Sequence, residues 1–362
     1  MGIFIPAHAA RRVRHCFLDY HCSRLHYLSS SRWPLARYRG MVVRRLHRRR
    51  SQRPLSGGQS SNVRIAVTGA NSSVGQNFMA HATKLSDLGV VAVVRSEQAL
   101  ASLPFHEQIQ PHNIPYEKVD DLANALEGVT CVIHLAGILL ETRSATYQRA
   151  NVDTTASVIE AAQAAGAEHI IFISVLGADA HSQNAYFRSK GEAEQLVVES
   201  GIDSTVIRTP IMLGPGNAGA NGLYRAATGG KVRLLGGGTY TMRPLDLDDL
   251  SSAVLQVCRA PKEGATIHEL VGPEAIPYKE LISRLARMLD QNISIAAMPI
   301  WLAKMAATVS FRFKGKGISP TVIDVITMTE VVERNADKEL CIELTPLSDT
   351  LQKLLHSRTH PI

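Results

Sequence analysis

The chain has 362 residues, 45% of them hydrophobic, with a mean hydropathy of −0.01, which suits a soluble globular protein of one large α/β unit or two closely joined domains. Its net charge of +7 hides a division: residues 1–62 hold thirteen Arg, no Lys and one acid (Asp19), a balance of +12, which leaves 26 basic and 31 acidic residues, or −5, for the remainder. An acidic body excludes nucleic acid as the expected partner, five scattered cysteines without a CxxC pair exclude a disulfide framework or a zinc site, and no apolar run reaches the ~18–20 residues of a transmembrane segment.

The first 62 residues are rich in Arg and Ser and end in Ser56-Gly57-Gly58-Gln59-Ser60-Ser61. Two readings stand side by side. One is a mitochondrial transit peptide, which places the mature protein on the matrix side of the inner membrane. The other is an over-extended reading frame ahead of a shorter, bacterial-type cytoplasmic protein, for which Met41 offers a later start. An Arg-rich nucleic-acid arm around Arg44–Arg50 is a third, weaker reading.

From Val63 onward strand and helix patterns alternate, as in βαβ units with a parallel sheet. A first strand (Arg64–Thr68) leads through Gly69 into a helix over Val74–Leu85, and a second strand spans Val90–Val94. A third is expected at Tyr116–Val119, ahead of a short helix Leu122–Leu126. The fourth, Cys131–Leu135, ends at Ala136-Gly137; the helix Val152–Ala165 stops at Gly166; the fifth strand is His169–Ile173. A helix over Tyr186–Glu199 and a sixth strand from Ser204 to Arg208 complete the alternation. Six strands with five crossovers predict a doubly wound, Rossmann-type parallel sheet over residues 63–210. Residues 211–362 are Gly-punctuated, with helices expected at Tyr278–Leu289, Ile300–Phe311 and Leu347–Leu355. They form a smaller, partly helical substrate-side region packed on the sheet's carboxyl edge.

The segment Thr68-Gly69-Ala70-Asn71-Ser72-Ser73-Val74-Gly75 carries the first chemical signal. Gly69 permits a tight turn off the strand, Gly75 permits close helix–sheet packing, and the helix start aims backbone N–H groups and its positive dipole end at a pyrophosphate. Ser72 stands where the middle glycine of such a turn is usual. Twenty residues beyond Gly75, Arg95 takes the place of the acidic residue that would bind the ribose hydroxyls of NAD, which predicts NADP(H) in preference to NAD(H). Tyr186 and Lys190, four apart on one helix face, form a candidate dyad in which the ammonium lowers the phenol pKa for proton exchange with a carbonyl. Asp248-Asp249 reads as a helix-capping or loop-anchoring pair rather than a metal site, and no metal is expected.

These residues resemble the short-chain dehydrogenase/reductase superfamily, in its extended and atypical branches, over about residues 63–356. The likeness rests on the Thr68–Gly75 turn, Arg95, Asp121-Leu122, His134–Gly137, Asn151, Ser174, the Tyr186/Lys190 pair and Arg208-Thr209-Pro210. Arg243–Leu250 and Val271-Gly272-Pro273 look like segments that shape the substrate side. The tail motif Leu340–Leu347, with Thr345-Pro346-Leu347 before a last helix, is similar to the nucleotide-binding accessory subunits of respiratory complex I and their bacterial relatives. The resemblance implies that Gly69, Ser72, Ser73, Val74 and Gly75 hold the pyrophosphate, that Arg95 holds the adenosine-side phosphate and that Asp121 and Leu122 flank the adenine. It further implies that Ala136 and Gly137 line the cofactor groove, that Lys190 holds the ribose and that Ser174 polarises a substrate carbonyl. Val175 follows Ser174 where reductases of this kind often place a second serine or threonine. Two functions remain open: an accessory or assembly protein that holds NADP(H) with little turnover, partnered with complex I or another membrane-bound assembly, and an NADP-dependent oxidoreductase or epimerase-like enzyme acting on a carbonyl-bearing small molecule such as a quinone-pathway intermediate.

Overall fold

The computed structural model describes residues 63–314 and 317–359, so the readings made for residues 1–62 lie outside the described residues. The nucleotide-binding half runs β1 (Val63–Thr68), α1 (Ser73–Ala82), β2 (Leu88–Val94), α2 (Glu97–Leu100), β3 (Ile109–Asn113), α3 (Val119–Ala125), β4 (Cys131–His134), α4 (Thr154–Ala165, preceded by a π-helical turn over Gln148–Asp153), β5 (His169–Val175), α5 (Ala185–Val198) and β6 (Asp203–Thr209). After the short strand β7 (Met212–Leu213) come α6 (Ala218–Thr228), β8 (Lys231–Leu235), β9 (Thr241–Met242), β10 (Leu245–Asp246), α7 (Leu247–Arg259) and β11 (Ala265–Glu269). The chain continues through β12 (Ile276–Pro277), α8 (Tyr278–Met288), β13 (Ser294–Met298), α9 (Ile300–Lys314), α10 (Pro320–Ile326) and α11 (Leu347–Thr359).

Seven parallel strands form the main sheet in the order β11-β6-β5-β4-β1-β2-β3, a doubly wound Rossmann arrangement whose direction of winding reverses between β1 and β4. Successive side chains of a strand point to opposite faces, and β1 divides accordingly. Ile65 and Val67 join the cluster built with Phe78 and Met79 of α1 and with Leu250, Val254 and Val257 of α7, while Ala66 joins Leu122, Val158, Phe172 and Val197 under α3, α4 and α5. A third cluster, from Leu213, Leu223, Leu281, Leu285, Leu347 and Leu351, gathers α6, α8 and α11. Among the described residues no helix is long and apolar enough to cross a membrane.

Within the main sheet two strands differ from expectation, and both are edges. The third strand is Ile109–Asn113, not Tyr116–Val119, and its helix starts at Val119 rather than Leu122. Only Ile109 of this strand is buried, and Pro111, which cannot donate to a ladder, is tolerated because β3 has a partner on one side alone. At the other edge β11, with Thr266, His268 and Glu269, adds a seventh strand beside β6. Half-exposed edge strands lack the apolar run that marked the central ones. The helices α6 and α7 were also not anticipated; α7, although it lies beyond residue 210, covers one face of the main sheet.

Candidate functional site

The turn between β1 and α1 opens at the reversal point of the sheet. Gly69 adopts φ +72°, and a Cβ there would lie 2.8 Å from the Ala136 backbone nitrogen, so the turn and the strand-four end close on each other only with glycine. A Cβ on Gly75 would come within 2.6 Å of the Ala70 carbonyl oxygen, which fixes the close approach of α1. Ser72 is the N-cap of α1, its Oγ accepting from the Gly75 N–H at 3.1 Å. The hydroxyl is thus turned onto the helix end. Ser73 and Val74 head α1, where N–H groups have no acceptor within the helix, and these are the donors open to an anion.

A cavity of about 420 Å³ lies over this turn, lined among others by Gly69, Ser72, Arg95, Tyr116, Ala136 and Gly137. Arg95 is exposed at its rim, and no described carboxylate pairs with it. Concave shape, a helix N-terminus and one free guanidinium are the donor set a dinucleotide phosphate requires, and the residues fit it. Neither Asp121 nor Leu122 lines this cavity. Leu122 is fully buried in the core under α3, and Asp121 sits on the outer face of that helix, 3.7 Å from Lys118. With β3 shifted toward the N-terminus, Tyr116 occupies the groove instead. Its hydroxyl accepts from the Gly69 N–H at 2.7 Å and donates to the Val93 carbonyl at 3.3 Å, and burial pushes its pKa up to about 12. Sequence reasoning missed Tyr116 because it had been placed inside a strand.

Behind the groove a buried polar chain fixes the strand ends. His134 bridges Thr68 Oγ1 (2.7 Å) and Thr155 Oγ1 (2.9 Å), and Thr155 donates to the Asn151 carbonyl. Burial, with the Lys190 charge adding, lowers the His134 pKa to about 3, so the imidazole is neutral. Asn151 Oδ1 accepts from the Ile138 N–H at 2.8 Å and its Nδ2 donates to Ser189 Oγ at 2.9 Å, tying the Ala136-Gly137-Ile138 backbone to α5.

The dyad is brought together on α5 but not as an acid–base pair. Lys190 turns inward: its Nζ donates to the Ile173 carbonyl at 2.9 Å and stands 4.1 Å above the Phe172 ring. Burial lowers its pKa to about 8, Glu194 partly opposing. Tyr186 packs with Tyr147, Phe187, Val325 and Met328, and burial first, then Tyr147, holds its phenol well above the ordinary value. The expected lowering is therefore reversed. Ser174, the penultimate residue of β5, is buried, and its Oγ has no hydrogen-bond partner among the described residues. None of Ser174, Tyr186 and Lys190 lines the 420 Å³ cavity. Asp249 anchors the tail, accepting from Thr345 N–H (2.8 Å) and Oγ1 (2.7 Å), while Asp246 caps α7. Among the described residues no His, Cys, Asp and Glu cluster could hold a metal ion.

Residues 69–237 match the family described as NAD(P)H-binding. The mitochondrial NADH dehydrogenase (ubiquinone) 1 alpha subcomplex subunit 9 of Arabidopsis thaliana is 25% identical over 310 residues, covering 80% of this chain and 77% of that protein. The ceramide reductase of Caulobacter vibrioides is 25% identical over 173 residues, covering 48% of this chain and 54% of that one, so the chain spans about half of that relative. Among solved structures, MoeE5 in complex with UDP-glucose and NAD superimposes with a TM-score of 0.64 at 21% identity, covering 82% of this chain and 98% of that chain, a likeness of fold.

Proposed function

We propose that this chain, a member of the atypical short-chain dehydrogenase/reductase family of NAD(P)-binding Rossmann proteins, holds NADP(H) as a nucleotide-binding accessory subunit of a respiratory assembly of the complex I type and turns it over little or not at all. The observation that carries this reading is the contrast within the site. The β1–α1 turn faces an open cavity with Arg95 at its rim, whereas Lys190 is spent on the Ile173 carbonyl and the Tyr186 phenol is buried with its pKa raised. A proton donor held in that state does little for a carbonyl/alcohol couple near neutral pH. Ser73 and Val74 N–H groups hold the pyrophosphate, and Arg95 the 2′-phosphate that distinguishes NADP(H) from NAD(H). When bound, the nicotinamide would supply hydride chemistry; the residues of this chain bind and orient it. The likeness to the mitochondrial subunit of Arabidopsis thaliana supports a place on the matrix side of the inner membrane.

The second reading, a reductase or epimerase-like enzyme on a carbonyl-bearing small molecule, is favoured by the presence of both Tyr186 and Lys190 and by the ceramide reductase relative. One experiment separates the two. The purified protein is denatured and the released nucleotide identified by mass spectrometry, and the loaded protein is followed by reduced-nicotinamide absorbance with quinone and carbonyl substrates. NADP(H) released in stoichiometric amount and stable absorbance are expected. Catalytic loss of absorbance would establish the enzyme instead.

A further inference from the structure

α9 is attached to the rest of the molecule by little of its surface. It packs on α10, which in turn packs on α5, and Ala307 is its buried residue. The opposite side is apolar and open: Trp301 is 64% exposed, Met305 59%, Val309 57% and Phe313 79%. Four residues apart throughout, these side chains fall in one stripe along the helix, with Leu302 beside them. Isolated exposed apolar residues need no explanation, but a contiguous stripe of this kind marks an interaction surface.

Charge says what covers it. The helix carries Lys304, Arg312 and Lys314 and no acid, in a body whose overall balance is −5. Lys304 is neutralised by Asp324 of α10, at 2.5 Å. Arg312 is exposed beside Phe313, and Lys314 follows in the sequence. The fifteen residues rise about 22 Å, too short for a hydrocarbon core of about 30 Å. A short helix with Trp and Phe toward its ends, a continuous apolar stripe, basic residues and no acid has the composition of one that lies in the plane of a bilayer interface.

We propose that α9 docks flat on an anionic phospholipid surface, with Trp301, Met305, Val309 and Phe313 at the acyl boundary and Arg312 and Lys314 among the headgroups. The inference is independent of the nucleotide site, so nucleotide binding serves as the folding control. The chain has two tryptophans, and Trp33→Phe leaves Trp301 as the sole indole reporter. The full-length Trp33→Phe protein is titrated with vesicles of phosphatidylglycerol mixed with phosphatidylcholine, and with phosphatidylcholine alone. The Trp301 emission moves to the blue and becomes shielded from an aqueous quencher, at less lipid with the anionic vesicles, to which the +12 of residues 1–62 also contributes. Met305→Glu with Val309→Glu abolishes the shift while nucleotide binding is retained, and Arg312→Gln with Lys314→Gln raises the anionic lipid required by about thirty-fold, the effect of two headgroup-level cations. The proposal is overturned if the protein sediments with vesicles while Trp301 emission stays unchanged, which assigns binding to another part of the chain. It is equally overturned if the paired variants leave the shift intact, or if Trp301 is shielded without lipid in a dimer seen by light scattering.

Discussion

If Arg95 takes the 2′-phosphate as proposed, its guanidinium is available to do so, because no described carboxylate pairs with it at the cavity rim. Arg95→Ala should reduce the preference for NADP(H) over NAD(H) by about ten-fold or more, the scale of one charge-assisted contact at about 1.5–3 kcal/mol. Calorimetric titration with both nucleotides checks this, and equal affinities in the unaltered protein would remove the basis for the assignment. Tyr186→Phe deletes a buried hydroxyl outside the cavity and should leave nucleotide affinity unchanged. Lys190 makes a pH-dependent contribution whose sign follows from its lowered pKa, about 8 against an ordinary 10.5. Below pH 8 it is charged in both folded and unfolded chains and its burial cost is fully present. As pH rises from 8 toward 10.5 the unfolded chain retains a proton that the folded one has released, so stability increases through that window, by up to about 3 kcal/mol. Denaturant melts of the nucleotide-free protein across this range should show the rise, and Lys190→Met should flatten it. An identical slope in the variant would mean that Lys190 is not the titrating group.

At the scale of elements, a single carboxylate joins the C-terminal tail to the helix that covers the sheet. Asp249, on the first turn of α7, takes both the N–H and the hydroxyl of Thr345 just before α11. Asp249→Ala should cost about 1.5–3 kcal/mol for the charged hydrogen bonds lost and should make the segment around Thr345 a site of early proteolysis. A melting temperature and cleavage pattern like those of the unaltered protein would show that the tie is dispensable. The sequence made the central elements legible, because β1, β2, β4 and β5 are buried on both faces and read as unbroken apolar runs. The edge strands β3 and β11 carry Gln110, Pro111, Thr266 and Glu269 instead, and with β3 placed too late the position of Tyr116 in the cavity was not legible. The glycine turn was legible for the same reason as the strand before it: only Gly at 69 permits the contact with Ala136. The inward turn of Lys190 was not, since helical spacing puts two residues on one face without saying where a four-carbon side chain ends.

For the whole molecule, α7 covers one face of a sheet made mostly by residues that precede it in the chain. Leu250, Val254 and Val257 close over Ile65, Val67 and Ile133, and Leu270, Ala336 and Leu340 join the same cluster from still later in the sequence. Synthesis runs in the opposite sense. When the ribosome has finished the stretch that matches the family, residues 69–237, β1 to β6 are present but α7 is not. The growing chain therefore passes through an interval in which this sheet face has α1 but not α7 upon it, a partial exposure of apolar surface from which aggregation starts. A fragment of residues 63–237 should bind a hydrophobic dye strongly and melt without cooperativity, whereas a fragment extended to residue 359 should do neither; a cooperative transition in the shorter one would contradict this. The stretch recognised by kinship and the stretch that completes the core are thus of different lengths, because the cover of this sheet face is supplied by residues from Leu250 to Leu340.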